Sequence, residues 1–209
     1  MVKADYTLYL VTDRNLLQGR ELISEVRKAV RGGVTLVQLR EKEAKGREFY
    51  ELASLLKREL DSLGIPLIVN DRLDIALMVD ASGVHLGQED LPCMEARRIL
   101  GAERLVGITV GSVLEAQKAE REGASYVGLG PIYFTATKPD ASQALGVNIV
   151  KEVKKAVSIP VVGIGGIDLE NIREVKRHGA DGVAVVSALM TAEDIEDKAR
   201  RLREAWENA

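Results

Sequence analysis

Tyr126-Val127-Gly128-Leu129-Gly130-Pro131-Ile132-Tyr133-Phe134-Thr135-Ala136-Thr137-Lys138 runs an apolar strand, Tyr126–Gly130, into a Gly-Pro turn and then into two threonine hydroxyls and a lysine. Glycines let backbone N–H groups come close to an anion, and the hydroxyls and ammonium add donors and charge. The segment therefore reads as a strand that ends at the wall of a phosphate site. A polar loop with a solvated lysine is the plainer reading of the segment alone.

Working outward, the same unit recurs along the whole chain. Short apolar runs predict strands at Tyr6–Val11, Val34–Leu39, Pro66–Val69, Gly83–Leu86, Leu105–Thr109, Tyr126–Gly130, Pro160–Gly163 and Gly182–Val186. Between and after them, helices are predicted at Arg20–Arg31, Arg47–Leu63, Leu73–Met78, Met94–Leu100, Leu114–Glu122, Asn148–Ala156, Asn171–His178 and Glu193–Trp206. Leu52, Leu55, Leu56 and Leu60 show the helical spacing of apolar residues. Gly32-Gly33, Gly64, Gly123-Ala124 and Gly179-Ala180 stand where helices should end. Thr191, with Glu193 and Asp194, is the expected start of the last helix. Eight such units without a linker predict one α/β domain over residues 1–209, a single (β/α)8 TIM barrel with its active site at the C-terminal ends of the strands. An open doubly wound sheet is the alternative arrangement.

The totals narrow the function classes. The chain has 209 residues, 46% of them hydrophobic, enough for a full core. A net charge of −3 leaves no basic excess for nucleic acid. The single cysteine, Cys93, allows no disulfide framework and no cysteine metal site, and packing is its expected role. No apolar stretch approaches the roughly 20 residues of a membrane span, and no signal peptide is visible. A cytoplasmic protein without nucleic-acid or membrane partners is expected, with self-association into a homo-oligomer left open.

In the second strand, side-chain alternation puts Gln38, Arg40 and Lys42 on one side, continuing the line of Val34 and Leu36. If that line faces the barrel axis, three donors climb out of the mouth, and arginine and lysine suit phosphate. The plainer reading is a solvated strand end with Glu41 paired to Lys42. The third strand ends at Asn70-Asp71, and the fourth is followed by Asp90. Neighbouring strands lie about 4.8 Å apart, so Asp71 and Asp90 can share one Mg²⁺, which takes one or two carboxylates together with waters and phosphate oxygens. Each Asp also suits a helix-cap role. Thr109 puts a hydroxyl at the end of the fifth strand, where capping a turn is its default role.

Val161-Val162-Gly163-Ile164-Gly165-Gly166-Ile167 ends the seventh strand, and the eighth ends at Val185-Val186-Ser187. Loops there often hold a phosphate in these barrels. Close backbone approach to a ligand explains the glycines, and Ser187 supplies a donor. His85 reads as a core or rim histidine rather than a catalytic one, and His178 as a favourable charge near a helix C-terminus. The result is two anion sites, one cationic with Mg²⁺ and one neutral and glycine-rich, suited to a diphosphate and a monophosphate.

In order and spacing, these segments resemble the thiamine-phosphate synthase (thiamine-phosphate pyrophosphorylase) family, from Tyr9-Leu10-Val11-Thr12-Asp13 to the terminal helix. The resemblance implies a (β/α)8 barrel that joins hydroxymethylpyrimidine diphosphate to a thiazole phosphate, or its carboxylated precursor, and releases diphosphate. It implies that Gln38, Leu39, Arg40, Glu41, Lys42, Asn70, Thr109 and Lys138 bind the pyrimidine diphosphate, with Arg40, Lys42 and Lys138 catalytic. It implies that Asp71 and Asp90 hold one Mg²⁺ per subunit, and that Thr135, Ala136, Thr137, Gly166, Val186 and Ser187 hold the thiazole phosphate. Thr109 stands where the family often has serine, and Phe134 where it usually has proline. The rivals are a thiazole tautomerase on the same barrel, which needs no diphosphate grip, and a non-catalytic phosphate-ligand sensor, which needs no paired aspartates.

Overall fold

Residues 4–136 and 143–209 are described in a computed structural model. Eight parallel strands close into a barrel in chain order, with the first paired to the eighth. They are β1 Leu8–Val11, β2 Leu36–Leu39, β3 Leu67–Asn70, β4 Gly83–Leu86, β5 Leu105–Val110, β6 Tyr126–Leu129, β7 Val161–Ile164 and β8 Gly182–Val185. The α-helices among the described residues are α1 Leu22–Arg31, α2 Gly46–Ser62, α3 Leu73–Met78, α4 Cys93–Leu100, α5 Val113–Arg121, α6 Asn148–Ala156, α7 Ile172–Arg177, α8 Ser187–Met190 and α9 Ile195–Glu207, and a 3-10 turn spans Arg14–Leu17. The (β/α)8 barrel expected from the sequence is the observed fold, and the open sheet is excluded by the pairing of Tyr9 with Ala184. None of the helices among the described residues is long and apolar enough to cross a membrane.

Side chains alternate across each strand, and both faces are buried. Leu8, Leu10, Val37, Leu39, Leu67 and Val69 point outward into the layer under the helices. Tyr9, Val11, Leu36, Ile68, Leu105, Tyr126, Val162 and Ala184 fill the inside. The interior is a packed core of matched sizes. Tyr126 is large and fully buried, and the facing position on β5 is Gly107, where an added Cβ would enter the tyrosine ring. Above this core the inward line turns polar: Gln38, Asn70, His85 and Thr109 follow Leu36, Ile68, Gly83 and Gly107 by two residues each. The strand period thereby puts chemistry at one end of the barrel.

Two local expectations need correction. Val34 packs in the outer layer and not on the axis line. Its N–H still bonds Ala29 O at 3.1 Å, closing α1, and Gly33 turns the chain there with φ 111°. The ladder starts only at Leu36, so the inward line of β2 is Leu36, Gln38 and Arg40. Thr191 does not start the last helix but closes α8, giving its hydroxyl to Ser187 O at 2.8 Å. Asp194 is the cap of α9, accepting from Asp197 N at 3.0 Å. Cys93 is a buried free thiol, as its packing role requires. Burial also raises its pKa to about 11.

Candidate active site

A cavity of about 610 Å³ opens at the C-terminal ends of the strands. Its floor is the polar step of the inward line. Gln38 Nε2 donates to the Tyr9 hydroxyl at 2.8 Å, and that hydroxyl lies 2.9 Å from the Tyr126 hydroxyl. His85 Nδ1 is 3.0 Å from Tyr126 Oη, and its Nε2 is 2.9 Å from Thr109 Oγ1. Burial pushes the pKa of Tyr9 and of Tyr126 well above the ordinary phenol value. Thr109 thus meets His85 rather than capping a turn, while Gln88 Nε2 donates to its carbonyl at 2.5 Å.

One wall is charged. Arg40 donates to Asp13 Oδ2 at 3.0 Å, and its backbone N–H donates to Thr12 Oγ1 at 3.1 Å. Both Arg40 and Asp13 are mostly buried, which fixes the guanidinium and leaves its other N–H groups to give. Lys42 Nζ lies 2.7 Å from Asp71 Oδ2, so the pairing with Glu41 of the plainer reading does not form. Glu41 accepts a forked pair of bonds from Arg14 at 2.9 and 2.7 Å, turned away from the cavity. Leu39 is buried in the outer layer. Of the five residues from Gln38 to Lys42, the alternate three line the cavity.

Neither aspartate caps a helix. The caps of α3 and α4 are Arg72 and Pro92, without side-chain bonds. Asp71 takes a left-handed backbone, φ 61°, uncommon except for glycine, asparagine and aspartate, and its N–H bonds His85 O at 2.9 Å. Asp90 accepts from Gly87 N at 2.6 Å. Burial raises the Asp90 pKa, its bond from Gly87 opposes the rise, and the facing Asp71 carboxylate adds to it. The two carboxylates therefore face one another with Lys42 beside them. Among the described residues no cluster of three or more His, Cys, Asp or Glu side chains stands ready for a metal. A two-carboxylate site is what a divalent magnesium ion needs when waters and phosphate oxygens complete its shell.

The opposite wall is neutral. Thr135, Gly165, Gly166, Val186 and Ser187 line it. The β6–α6 loop, which begins after a cis Gly130–Pro131 bond, lies on the β7–α7 loop. Ile132 N bonds Ile164 O at 2.8 Å, Tyr133 N bonds Gly165 O at 3.0 Å, and the Tyr133 hydroxyl donates to Glu174 at 2.9 Å. Burial, with Glu174 adding, pushes the Tyr133 pKa to about 12. This contact supplies a reason for the glycines that the sequence reading did not give. Gly165 has φ 96°, and a Cβ there would stand 2.6 Å from Pro131 Cβ. Ala136 and Phe134 are exposed beside the mouth. Thr137 and Lys138 lie outside the described residues.

Ser187 opens α8, the short helix that the sequence reading missed. Arg20 holds the far end of that helix, donating to Met190 O at 2.5 Å, Ala192 O at 2.7 Å and Glu25 at 2.9 Å. The sequence reading also did not single out Tyr9 and Tyr126. Both lie in apolar strands, and the polar residues they meet, Gln38 and His85, stand on other strands of the closed barrel.

The sequence model of the family described as thiamine monophosphate synthase matches residues 8–189. A thiamine-phosphate synthase of Syntrophomonas wolfei is 57% identical over 99% of both chains. One from Desulfitobacterium hafniense is 50% identical over 98% of this chain and 99% of its own. Among solved structures, a thiamine phosphate pyrophosphorylase from Pyrococcus furiosus superposes with a TM-score of 0.90 at 40% identity, covering 98% of this chain and 97% of its own. A barrel of this topology, with a mouth charged on one side and glycine-rich on the other, and with relatives of this closeness along its full length, belongs to the thiamine monophosphate synthase family.

Proposed function

We propose that the chain is a thiamine-phosphate synthase. It joins hydroxymethylpyrimidine diphosphate to the thiazole phosphate, giving thiamine phosphate and diphosphate. The observation that carries the reading is the two-sided mouth: Arg40, Lys42, Asp71 and Asp90 on one wall, and Gly166, Val186 and Ser187 on the other, over one cavity. The tautomerase and sensor readings have no use for the charged wall.

In this account the C–O bond at the pyrimidine methylene breaks, and its electron pair leaves with the diphosphate. The thiazole ring nitrogen then supplies the pair for the new C–N bond, so no general base is needed. Arg40, fixed by Asp13, and Lys42 bind the diphosphate and stabilise the charge it gains on leaving. Lys138 is assigned the same task by its place in the family motif. Gln38, Asn70 and Thr109 hold the pyrimidine ring. Thr135, Gly166, Val186 and Ser187 hold the thiazole phosphate so that its ring nitrogen stays near the methylene carbon, which converts an encounter into a positioned attack. Thr137 and Ala136 join them from the motif alone.

Asp71 and Asp90 would hold one Mg²⁺. Two facing carboxylates against one ammonium leave a net negative charge in the mouth, which a divalent cation would neutralise. When bound, the ion would offset diphosphate charge as a Lewis acid. Leu39 and Glu41 act through the backbone of the strand end, since their side chains face away. The single buried thiol and the small phosphorylated substrates agree with a cytoplasmic enzyme.

The test omits the pyrimidine diphosphate, the thiazole phosphate and Mg²⁺ in turn and follows diphosphate release. Release that needs all three is expected. Folded protein that releases none would remove the synthase reading, and release without Mg²⁺ would remove the metal assignment.

A further inference from the structure

Five polar side chains from five strands form one hydrogen-bonded line across the cavity floor: Gln38, Tyr9, Tyr126, His85 and Thr109, with separations of 2.8, 2.9, 3.0 and 2.9 Å. The two phenols in the middle are fully enclosed, with 1% and 0% of their surface exposed. Each has one proton, and burial keeps it in place. A hydroxyl in such a line that accepts from one side donates to the other, because a reversal in the middle would bury an unmade bond. The line therefore has two complete proton orders.

In the first, Gln38 Nε2 donates to Tyr9, Tyr9 to Tyr126, and Tyr126 to His85 Nδ1. His85 Nε2–H then donates to Thr109, whose own proton is left to give. Gln38 keeps its amide oxygen, an acceptor, for the cavity. In the second, every bond reverses: Gln38 accepts and shows the cavity its amide protons, His85 carries its proton on Nδ1, and Thr109 spends its proton on His85. An acceptor at Gln38 thus goes with a donor at Thr109, and the reverse.

We infer that Tyr9 and Tyr126 are positioning residues that tie the hydrogen-bonding face Gln38 shows the substrate to the face Thr109 shows it. The free protein holds the first order, the one in which Gln38 donates to Tyr9 and offers an acceptor to a ring amino group. The substrate in question rests on the synthase reading, but the coupling is a property of the free protein.

The experiment is nitrogen-15 NMR of the imidazoles across a pH series, read where the shifts show each ring carrying one proton. The chain has two histidines, and His178, which follows α7, has Nδ1 2.8 Å from Glu174 O, so the two rings are told apart by their partners. Gln38→Glu replaces the amide by a carboxylate that can only accept. It is expected to move the His85 proton from Nε2 to Nδ1, with three hydrogen bonds in between. In Gln38→Glu with Tyr126→Phe the proton is expected to stay on Nε2, because the line is cut. Substrate kinetics give the second readout. Tyr126→Phe and Tyr9→Phe keep the ring volume and are each expected to raise KM for the pyrimidine diphosphate about tenfold while leaving KM for the thiazole phosphate unchanged.

A His85 tautomer unmoved by Gln38→Glu overturns the inference, as does one that moves whether or not residue 126 has a hydroxyl. Equal changes in both KM values, or none, overturn the positioning role. A wild type that makes no thiamine phosphate, with the His85 tautomer still moved by Gln38→Glu, would instead sink the synthase reading and leave the coupling standing.

Discussion

Asp90→Asn removes one of the two facing carboxylates while keeping the acceptor that meets Gly87 N. In the metal-free protein its expected effect is stabilising. Burial and the facing Asp71 raise the Asp90 pKa above its unfolded value, so the folded chain takes up that proton first. The Asp90 contribution to stability therefore grows as pH falls through its folded pKa and levels off below about 3.9, the unfolded value. At neutral pH the ionised pair opposes folding, and the amide relieves it. Lys42 reduces the repulsion without cancelling it, since two carboxylates face one ammonium.

Mg²⁺ reverses the order of the two proteins. Ten times above its Kd, an ion that binds only the folded state adds about 1.4 kcal/mol, or about 3–6 °C in Tm for a chain of this size. Wild type is expected to show that rise and Asp90→Asn to lose most of it, so their melting curves cross as Mg²⁺ is added. Because the ion competes with the proton, the wild-type rise should shrink on acidification through the same window. In turnover the variant should lose about 10²–10³ in kcat, the scale of removing one charge-stabilising group from a reacting centre. Differential scanning fluorimetry across a Mg²⁺ series, paired with diphosphate release, reads all of this. A variant with the wild-type Mg²⁺ shift and wild-type rate would refute the shared-ion reasoning.

Ser187→Ala is expected to raise KM for the thiazole phosphate about tenfold, the worth of one charge-assisted hydrogen bond at about 1.5 kcal/mol, with the pyrimidine diphosphate KM unchanged; steady-state kinetics with each substrate varied checks it. Arg20→Ala removes the donors that hold Met190 O and Ala192 O and should cost about 3 kcal/mol, read as a Tm lower by roughly 6–12 °C. It should also weaken thiazole phosphate binding, because α8 loses its seat. Gly165→Ala combines a left-handed backbone with a methyl 2.6 Å from Pro131 Cβ and should cost about 3 kcal/mol. A Tm equal to wild type would show that the two loops do not rest on one another as described.

The barrel could be read from the sequence because strands buried on both faces leave near-continuous apolar runs, and turn glycines mark the ends of the helices before them. Gly83–Leu86, Leu73–Met78 and Asn148–Ala156 have the expected bounds. The strand beginnings were read too early at Tyr6 and Val34, since a core residue ahead of the ladder, as Tyr6 is, and an apolar residue closing a helix, as Val34 is, both look the same as one opening a strand. The short α8 is too brief to show a helical period, and Thr191, which closes it, resembles a cap for the next helix. At the site, period two found Gln38, Arg40 and Lys42 but could not give their partners. Asp13 for Arg40, Asp71 for Lys42 and Arg14 for Glu41 come from segments after neighbouring strands that only the closed barrel brings together. Tyr9 and Tyr126 were hidden for the opposite reason: as aromatic residues in apolar strands they look like core, and their rings are core while their hydroxyls bond across the floor. Gly165 and Gly166 were read toward a ligand; they line the cavity, and the space a side chain would need there is also taken by Pro131 and Tyr133, which the sequence does not show.

The most direct test of the account is phosphorus NMR of purified protein with Mg²⁺, the pyrimidine diphosphate and the thiazole phosphate in one tube. The account predicts that thiamine phosphate and inorganic diphosphate appear together in equal amounts as both substrates disappear. Diphosphate without thiamine phosphate, or an unchanged spectrum from folded protein, would contradict it.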